Sequence, residues 1–534
     1  MARRAPTPRP LPAPARPDAP PLWALPAVLA LALVLRGLRL MADLPVVGDE
    51  SIYLRWAEII TGQGGWFVSL LDGKPPLSYW LYAAARLLSD DPLLGPRWIS
   101  VLAGTATTAA VCAVGSALRN ARVGLLAASL YAVLPWAMLY DRLAYTESLV
   151  NLGGAVVAWL SVRLVRQEPP SGTAAAAVGL ALGLALFTKT TALLYAPAPL
   201  LAALTVGKAS WREWGPKLAL VCAIAACFPA LSAALTPEAP QLADHSALLH
   251  KTHFFVTPAE LLSNPTGRLG ENLPLLLEFL GAYLSWPLLL AAVGAFVVLV
   301  RRRDPAAWFL LGLSALPMLA EALLLTRFFS RYPFPHAWPL LVATALAADA
   351  LWDAPRLRTP VRAGSAALAA LLLTMSLRIV YAPQAGMAWA DSTYYFSDSP
   401  AAGWGLEQVV AAVRQEARGG PVLLLTDPIW GTPADALFAY LNGRDGVRVA
   451  EAWWLEADPN APLIPGREVE VWRSHYERTP GGSIDFSRYR AVFYATVTNY
   501  RRPEEVAARA PGARRVLSVP KPGGAQSLDL YRLR

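Results

Sequence analysis

Two adjacent acids, Asp49 and Glu50, follow Gly48 early in the chain. A carboxylate there is either a helix N-cap that accepts backbone N–H groups or a general base. Lys74 stands in the run Asp72-Gly73-Lys74-Pro75-Pro76-Leu77, where the prolines stiffen the backbone behind it. Its ammonium is either an interfacial lysine with a buried stem or a cation for a phosphate. The chain has no GxxxxGK[ST] motif at this point, so a nucleotide P-loop is not supported. Two acids and an arginine crowd the segment Tyr140-Asp141-Arg142-Leu143-Ala144-Tyr145-Thr146-Glu147-Ser148, Lys189 sits between Thr188 and Thr190, and Arg331-Tyr332-Pro333 precede His336. One acid that could take a proton and several cations that could face an anionic lipid headgroup or a phosphate are thus spread along the chain. His245, His250 and His253 share a segment with one neighbouring acid, Asp244, and no cysteine. That is a poor ligand set, so no metal site is assigned; a divalent ion stays an open alternative without being indicated, and no other cofactor is indicated.

The elements that must hold these groups are set by composition. Of 534 residues, 55% are hydrophobic and 16% charged, against roughly 25% charged in soluble domains, and mean hydropathy is +0.38. A water-facing globule of this size would need more polar surface. Crossing a bilayer takes about 20 apolar residues of helix. Eleven stretches qualify: 22–41, 97–118, 122–140, 148–166, 172–187, 190–206, 217–235, 279–300, 306–325, 333–352 and 361–380. Residues 1–21, rich in Pro, Ala and Arg, read as a disordered basic arm without a signal-peptide cleavage site. Cys112, Cys222 and Cys227 lie in apolar runs without CxxC spacing, so neither zinc nor a disulfide framework is indicated.

With the N-terminus in the cytoplasm, the inner segments hold 17 Lys and Arg against 5 Asp and Glu, which satisfies the positive-inside rule. The net charge of +9 is therefore a topology signal and does not point to nucleic acid. An odd number of spans puts the C-terminus outside. The first outer loop, 42–96, contains two segments too short to span, 50–62 and 76–88. In the first, Ile52, Trp56, Ile59 and Ile60 share one helical face and Arg55, Glu58 and Thr61 the other, as expected of an interfacial helix. Residues 381–534 have no spanning segment and read as a small extracytoplasmic α/β domain, with strands at Pro421–Thr426 and Arg490–Val497 and helix at Asp435–Leu441. The expected architecture is thus a polytopic α-helical membrane protein: a helical unit over 22–380 and the α/β domain after it. Lys189 and Arg331 fall in outer turns, where topology does not ask for basic residues. Glu321 lies inside a span, which marks it as functional or as paired with Arg327 or Arg36.

In order and spacing, these pieces resemble the GT-C superfamily of polytopic glycosyltransferases. Within it they resemble the bacterial branch of lipid A aminoarabinose transferases, lipopolysaccharide-core galacturonosyl transferases and protein O-mannosyltransferases, the family 39/83-like group. Asp49-Glu50 match the Asp-Glu of the first outer loop, and Lys74-Pro75-Pro76-Leu77-Ser78-Tyr79-Trp80 match its Lys-Pro-Pro-Leu-x-Tyr-Trp run. Arg97 matches an arginine at the next span, Arg142 and Glu147 an arginine–acid turn, and Thr188-Lys189 and Arg331-Tyr332 two later signatures. Aminoarabinose transferases carry Arg-Tyr after the first acid and an acid before Lys-Pro-Pro, where this chain has Ile52-Tyr53 and Gly73.

The resemblance implies a polyprenyl-phosphate-linked sugar donor and a lipid, glycan or protein hydroxyl as acceptor, at the outer face of the plasma membrane. Asp49 would be the general base, with Glu50 beside it, and direct attack would invert the anomeric carbon. Lys74, Arg331, Arg97, Arg142 and Lys189 would meet the donor phosphate, while Glu147, Tyr53, Tyr79 and Tyr332 would orient substrates. The alternatives are a lipid-linked-sugar transporter or flippase, whose charges belong at the midplane on interrupted helices, and a non-catalytic membrane protein whose α/β domain binds a partner.

Overall fold

The protein is described here from a computed structural model covering residues 20–236, 254–352, 354–458, 460–464, 468–472 and 480–534. Most of the expected basic arm, and the histidine segment 245–253, lie outside these residues. Helix α1 spans Ala24–Gly37, α2 Gly48–Gln63, α3 Leu77–Arg86 and α4 Leu94–Leu118. Then come α5, Ala121–Ala132, α6, Pro135–Tyr140, α7, Glu147–Val165, and α8, Gly172–Thr188.

Among the described residues, five helices are long and apolar enough to cross a membrane: Leu94–Leu118, Glu147–Val165, Trp211–Leu235, Ala306–Leu324 and Arg358–Tyr381. Leu269–Leu284 and Trp286–Arg301 make a sixth if taken as one span, although they meet at 102°. The remaining expected spans are shorter or interrupted. Segment 122–140 divides into α5 and α6 because Pro135 has no N–H to continue the ladder and Leu134 before it is extended. Segment 190–206 opens as a 3₁₀ turn, Thr190–Tyr195, before a short helix, Ala198–Thr205.

The two short segments expected within 42–96 are the helices α2 and α3. Only part of the polar face of α2 meets water, however: Thr61 is exposed and Glu58 partly so. Arg55 is fully buried, paired with Glu58 and stacked 4.3 Å over the ring of Phe438 in the C-terminal region. The sequence pattern is amphipathic, and a second layer of protein covers the Arg55 end of its polar side.

That layer is built on a five-stranded sheet ordered β2-β1-β5-β7-β6. Its strands are β1 (Val422–Thr426), β2 (Val447–Glu451), β5 (Ala491–Val497), β6 (Arg514–Pro520) and β7 (Ser527–Arg532). A separate hairpin joins β3 (Glu468–Trp472) to β4 (Pro480–Asp485). Strand β1 pairs parallel with both β2 and β5, and β7 closes antiparallel on β5. Every residue of β1 is buried, as its unbroken apolar run demands of a central strand. The expected helix appears as Ala434–Leu441.

This region is tied to the chain around Asp49. Gly48 N–H donates to Ala401 O at 2.9 Å and Gly403 N–H to Val46 O at 3.0 Å, so residues 46–48 and 401–403 form a short antiparallel bridge. Gly431, at φ +85°, lies against the backbone of Gly48, where an added Cβ would approach the Gly48 carbonyl oxygen to 3.2 Å. Tyr440 OH donates to Asp91 Oδ1 at 3.1 Å.

Candidate active site

Four separate segments converge on Asp49. Val47, not Asp49, is the N-cap of α2. Glu50 does the capping, accepting from the Val47 N–H at 3.1 Å, while Asp49 in the same first turn turns its carboxylate toward Arg331. Arg331 Nη1 is 2.6 Å from Asp49 Oδ2. Arg331 comes from the turn between helices Ala315–Leu324 and Phe334–His336, and its guanidinium lies 4.6 Å over Phe329, 5.4 Å over Tyr332 and 5.8 Å over Tyr145. Glu147, in the first turn of α7, extends the network: its Oε1 is 3.9 Å from Arg331 Nε and 2.5 Å from Lys189 Nζ. An acid at a helix N-terminus is favoured by the helix dipole. Lys189 also lies 5.9 Å over the Tyr332 ring.

Lys74 enters from the other side. Its Nζ is 2.7 Å from Asp72 Oδ2 and 5.4 and 5.2 Å over the rings of Tyr53 and Trp56. Gly73 adopts φ +65°, a left-handed conformation open to glycine, and this brings Asp72 back onto Lys74. The acid expected directly before Lys-Pro-Pro is thus supplied one residue earlier. Tyr79 packs at 4.7 Å edge-on to Trp56 and 5.1 Å from Tyr53, forming an aromatic floor beside the charges.

The electrostatics follow from this packing. Burial raises the Asp49 carboxyl, but Arg331, Lys74 and Lys189 more than offset it and hold it below the usual carboxylate range. Burial lowers the Lys74 ammonium, yet Asp72 and Asp49 leave it above its ordinary value. Burial also lowers Arg331, and Asp49 more than compensates.

The remaining expected residues lie elsewhere. Arg97 is fully buried and its guanidinium is spent internally. It grips Glu50 with Nε at 3.0 Å and Nη2 at 2.9 Å and donates to the carbonyls of Leu40, Leu44 and Pro45. Glu50 also accepts from the Ala144 N–H at 2.7 Å. Arg97 and Glu50 therefore pin the loop that carries Asp49 instead of lining an open site. Arg142 donates to Leu38 and Arg39 carbonyls, both at 3.0 Å, and is likewise structural. Arg36 pairs with Asp141 at 2.9 Å, so Glu321 is left with His336, whose Nε2 is 3.7 Å away. Glu321 and His336 line a small enclosed cavity behind Arg331 together with Glu147, Lys189 and Tyr332. Among the described residues, no group of three or more His, Cys, Asp or Glu side chains is arranged to hold a metal.

Reasoning from sequence missed Asp72, Phe329, Ser330, Asp391 and Tyr394. Asp72 could have been found, because it stands two residues before Lys74. The others lie far from Asp49 in sequence and reveal themselves only through packing.

Spanning helices, an acid–cation cluster at their ends and a small appended sheet define a multi-pass membrane protein. Residues 73–232 match the family model described as dolichyl-phosphate-mannose-protein mannosyltransferase, so this stretch is similar to that family, in keeping with the resemblance read from the motifs. The structure of ArnT from Cupriavidus metallidurans in the apo state is similar with a TM-score of 0.60 at 13% identity, over 96% of this chain and 98% of that one. The same protein bound to undecaprenyl phosphate gives 0.57 at 14% identity, with the same coverage. The archaeal oligosaccharyltransferase AglB from Archaeoglobus fulgidus, in complex with an inhibitory peptide and a dolichol-phosphate, gives 0.50 at 12% identity, over 78% of this chain and 63% of that one. At such identities the likeness is one of fold. No curated protein sequence matches the chain.

Proposed function

We propose that the protein is a glycosyltransferase that moves a sugar from a polyprenyl-phosphate donor to a hydroxyl of a lipid, glycan or protein at the outer face of the plasma membrane. The observation that carries this reading is the meeting of Asp49, Arg331, Glu147, Lys189 and Lys74 from separate loops. One carboxylate beside several cations suits attack at a carbon whose leaving group is a phosphate. The domain match and the fold likeness support it.

In the proposed step, the acceptor oxygen attacks the anomeric carbon and its proton passes to Asp49. The bond from that carbon to the phosphate oxygen breaks, and the electron pair leaves with polyprenyl phosphate. Attack from the face opposite the leaving group inverts the centre. Arg331 and Lys74 meet the charge that develops on the phosphate, which fixed cations stabilise without reorganising. Lys189, held by Glu147, supports Arg331 from behind. While Arg331 pairs with Asp49 the carboxylate is a weak base. A donor phosphate that engages Arg331 would loosen that pair and leave Asp49 in a desolvated setting that raises its basicity.

Purified full-length protein should transfer radiolabelled sugar from polyprenyl phosphate to a membrane acceptor, and Asp49→Asn should cut transfer by about 10²–10⁴-fold. Movement of intact lipid-linked sugar across vesicles without transfer would instead support the transporter reading.

A further inference from the structure

We propose that Asp391 is a positioning residue that acts through Ser330 to hold Arg331 against Asp49. The inference rests on the reading of Arg331 as the donor-phosphate cation.

Asp391 lies in the first turn of helix Trp389–Phe396, just beyond the last long apolar helix. Its Oδ2 accepts from Ser330 Oγ at 2.5 Å and from Tyr283 OH at 2.5 Å. Ser330 Oγ in turn lies 2.5 Å from Tyr140 OH. A carboxylate only accepts hydrogen bonds, so both hydroxyls spend their protons on Asp391, and Ser330 then accepts from Tyr140. The direction of the whole chain is fixed: Tyr140 to Ser330 to Asp391, with Tyr283 converging from the other side. Ser330 and Asp391 are both buried, and Ser330 is the residue immediately before Arg331.

The same helix grips the turn a second time. Tyr394 packs 5.2 Å from Phe329, and Tyr395 lies 6.3 Å from Tyr145. Phe329 and Tyr145 are two of the rings under the Arg331 guanidinium. The helix is itself anchored, through Ala390 N–H to Glu278 Oε1 at 3.0 Å and Ala388 N–H to Tyr283 OH at 3.2 Å. The Arg331 turn is therefore held by a carboxylate at the preceding residue and by rings on both sides, all supplied by one short helix after the spanning region. A long arginine side chain otherwise loses much rotamer freedom when fixed on a ligand, and a pre-set turn lowers that cost.

Ser330→Ala is the discriminating variant, because it cuts the link to the Arg331 turn and leaves Asp391 with Tyr283. The probe is undecaprenyl phosphate, titrated onto the full-length protein in detergent and followed by tryptophan fluorescence, with a thermal melt of each variant. Ser330→Ala and Asp391→Ala should each weaken binding about tenfold, as expected for members of one hydrogen-bond network, with the Ser330→Ala melt lowered less than the Asp391→Ala melt. Asp391→Asn, whose carbonyl oxygen can still accept both hydroxyls, should recover most of the affinity. Added to Arg331→Ala, Ser330→Ala should cause no further loss. Wild-type affinity in Ser330→Ala, or additive losses in the double variant, overturns the positioning role and leaves the site reading intact. Wild-type affinity in Arg331→Ala overturns the site reading itself.

Discussion

Arg331 Nη1 and Asp49 Oδ2 meet at 2.6 Å across 282 positions of sequence. The pair joins the first turn of α2 to the turn before Phe334, and it sets the protonation behaviour of the proposed base. Free protein holds the Asp49 carboxyl low because three cations outweigh its burial. With donor bound, Arg331 would be shared with a phosphate, and the same burial would push the carboxyl up. The acid limb of kcat/KM reports the free protein and that of kcat the complex. The kcat limb should therefore lie at higher pH than the kcat/KM limb, and Arg331→Gln should raise the kcat/KM limb. Limbs that coincide and do not respond to Arg331→Gln would remove Asp49 from the base role.

Asp49→Asn keeps the shape of the side chain and a hydrogen-bond acceptor for Arg331, but it cannot take a proton. Transfer should fall by about 10²–10⁴-fold, the usual contribution of a positioned base, while undecaprenyl phosphate still binds. Single-turnover rates beside a binding titration separate the two quantities. Equal losses in both would mean that Asp49 matters for the site's shape instead of its proton transfer.

Lys74 tests the phosphate contact from the opposite wall. Lys74→Ala removes an ammonium held over Tyr53 and Trp56 and should raise the donor KM with a smaller effect on acceptor KM. Gly73→Ala should act in the same direction without removing the charge, since an L-residue at φ +65° costs roughly 1–2 kcal/mol and would displace Asp72 from Lys74. An unchanged donor KM in Lys74→Ala would sink the phosphate assignment.

Arg97 and Glu50 should behave as structure. Both are fully buried and joined by two hydrogen bonds, and removing one partner of such a pair costs about 3–5 kcal/mol because the other charge is stranded. Arg97→Ala should therefore lower the melting temperature and the amount of protein recovered from membranes. Arg97→Lys should rescue little, since an ammonium cannot reproduce the fork. A stable Arg97→Ala protein with weakened phosphate binding would return Arg97 to the donor site.

Much of this arrangement was legible in the sequence. The apolar runs marked the helices, the β1 and β5 strands announced themselves as short apolar runs bounded by turns, and Asp49, Lys74, Glu147, Lys189 and Arg331 were each visible as charges near span ends. Arg97 and Arg142 were visible too, but type and spacing cannot show that an arginine's donors are already used by Glu50 and by loop carbonyls. Interruptions such as the 102° bend at Ser285 escaped because hydropathy averages across them. The covered part of the polar face of α2 escaped because Phe438, which stacks on Arg55, lies in a region separate in sequence. Asp391 was hidden for the same reason: nothing local distinguishes it from any acid in a helix's first turn.

Asp391 also makes a pH prediction whose sign can be fixed. Burial raises its carboxyl to about 6, against the hydrogen bonds from Ser330 and Tyr283 and the charge of Arg331, with Glu278 adding to the rise; Tyr140 behind Ser330 and Tyr395 on the same helix are the other titratable neighbours. The unfolded chain releases this proton near 3.8. Between about pH 4 and 6 the folded state thus holds the proton more tightly, so stability falls as pH rises through that window and levels off above it. The full difference is about 3 kcal/mol. Asp391→Asn cannot ionise and should lose this dependence, so its melting temperature should gain on the wild type from pH 4 to pH 6 and run parallel above. Parallel melting curves for the two proteins across pH 4–6 would show that Asp391 does not titrate there.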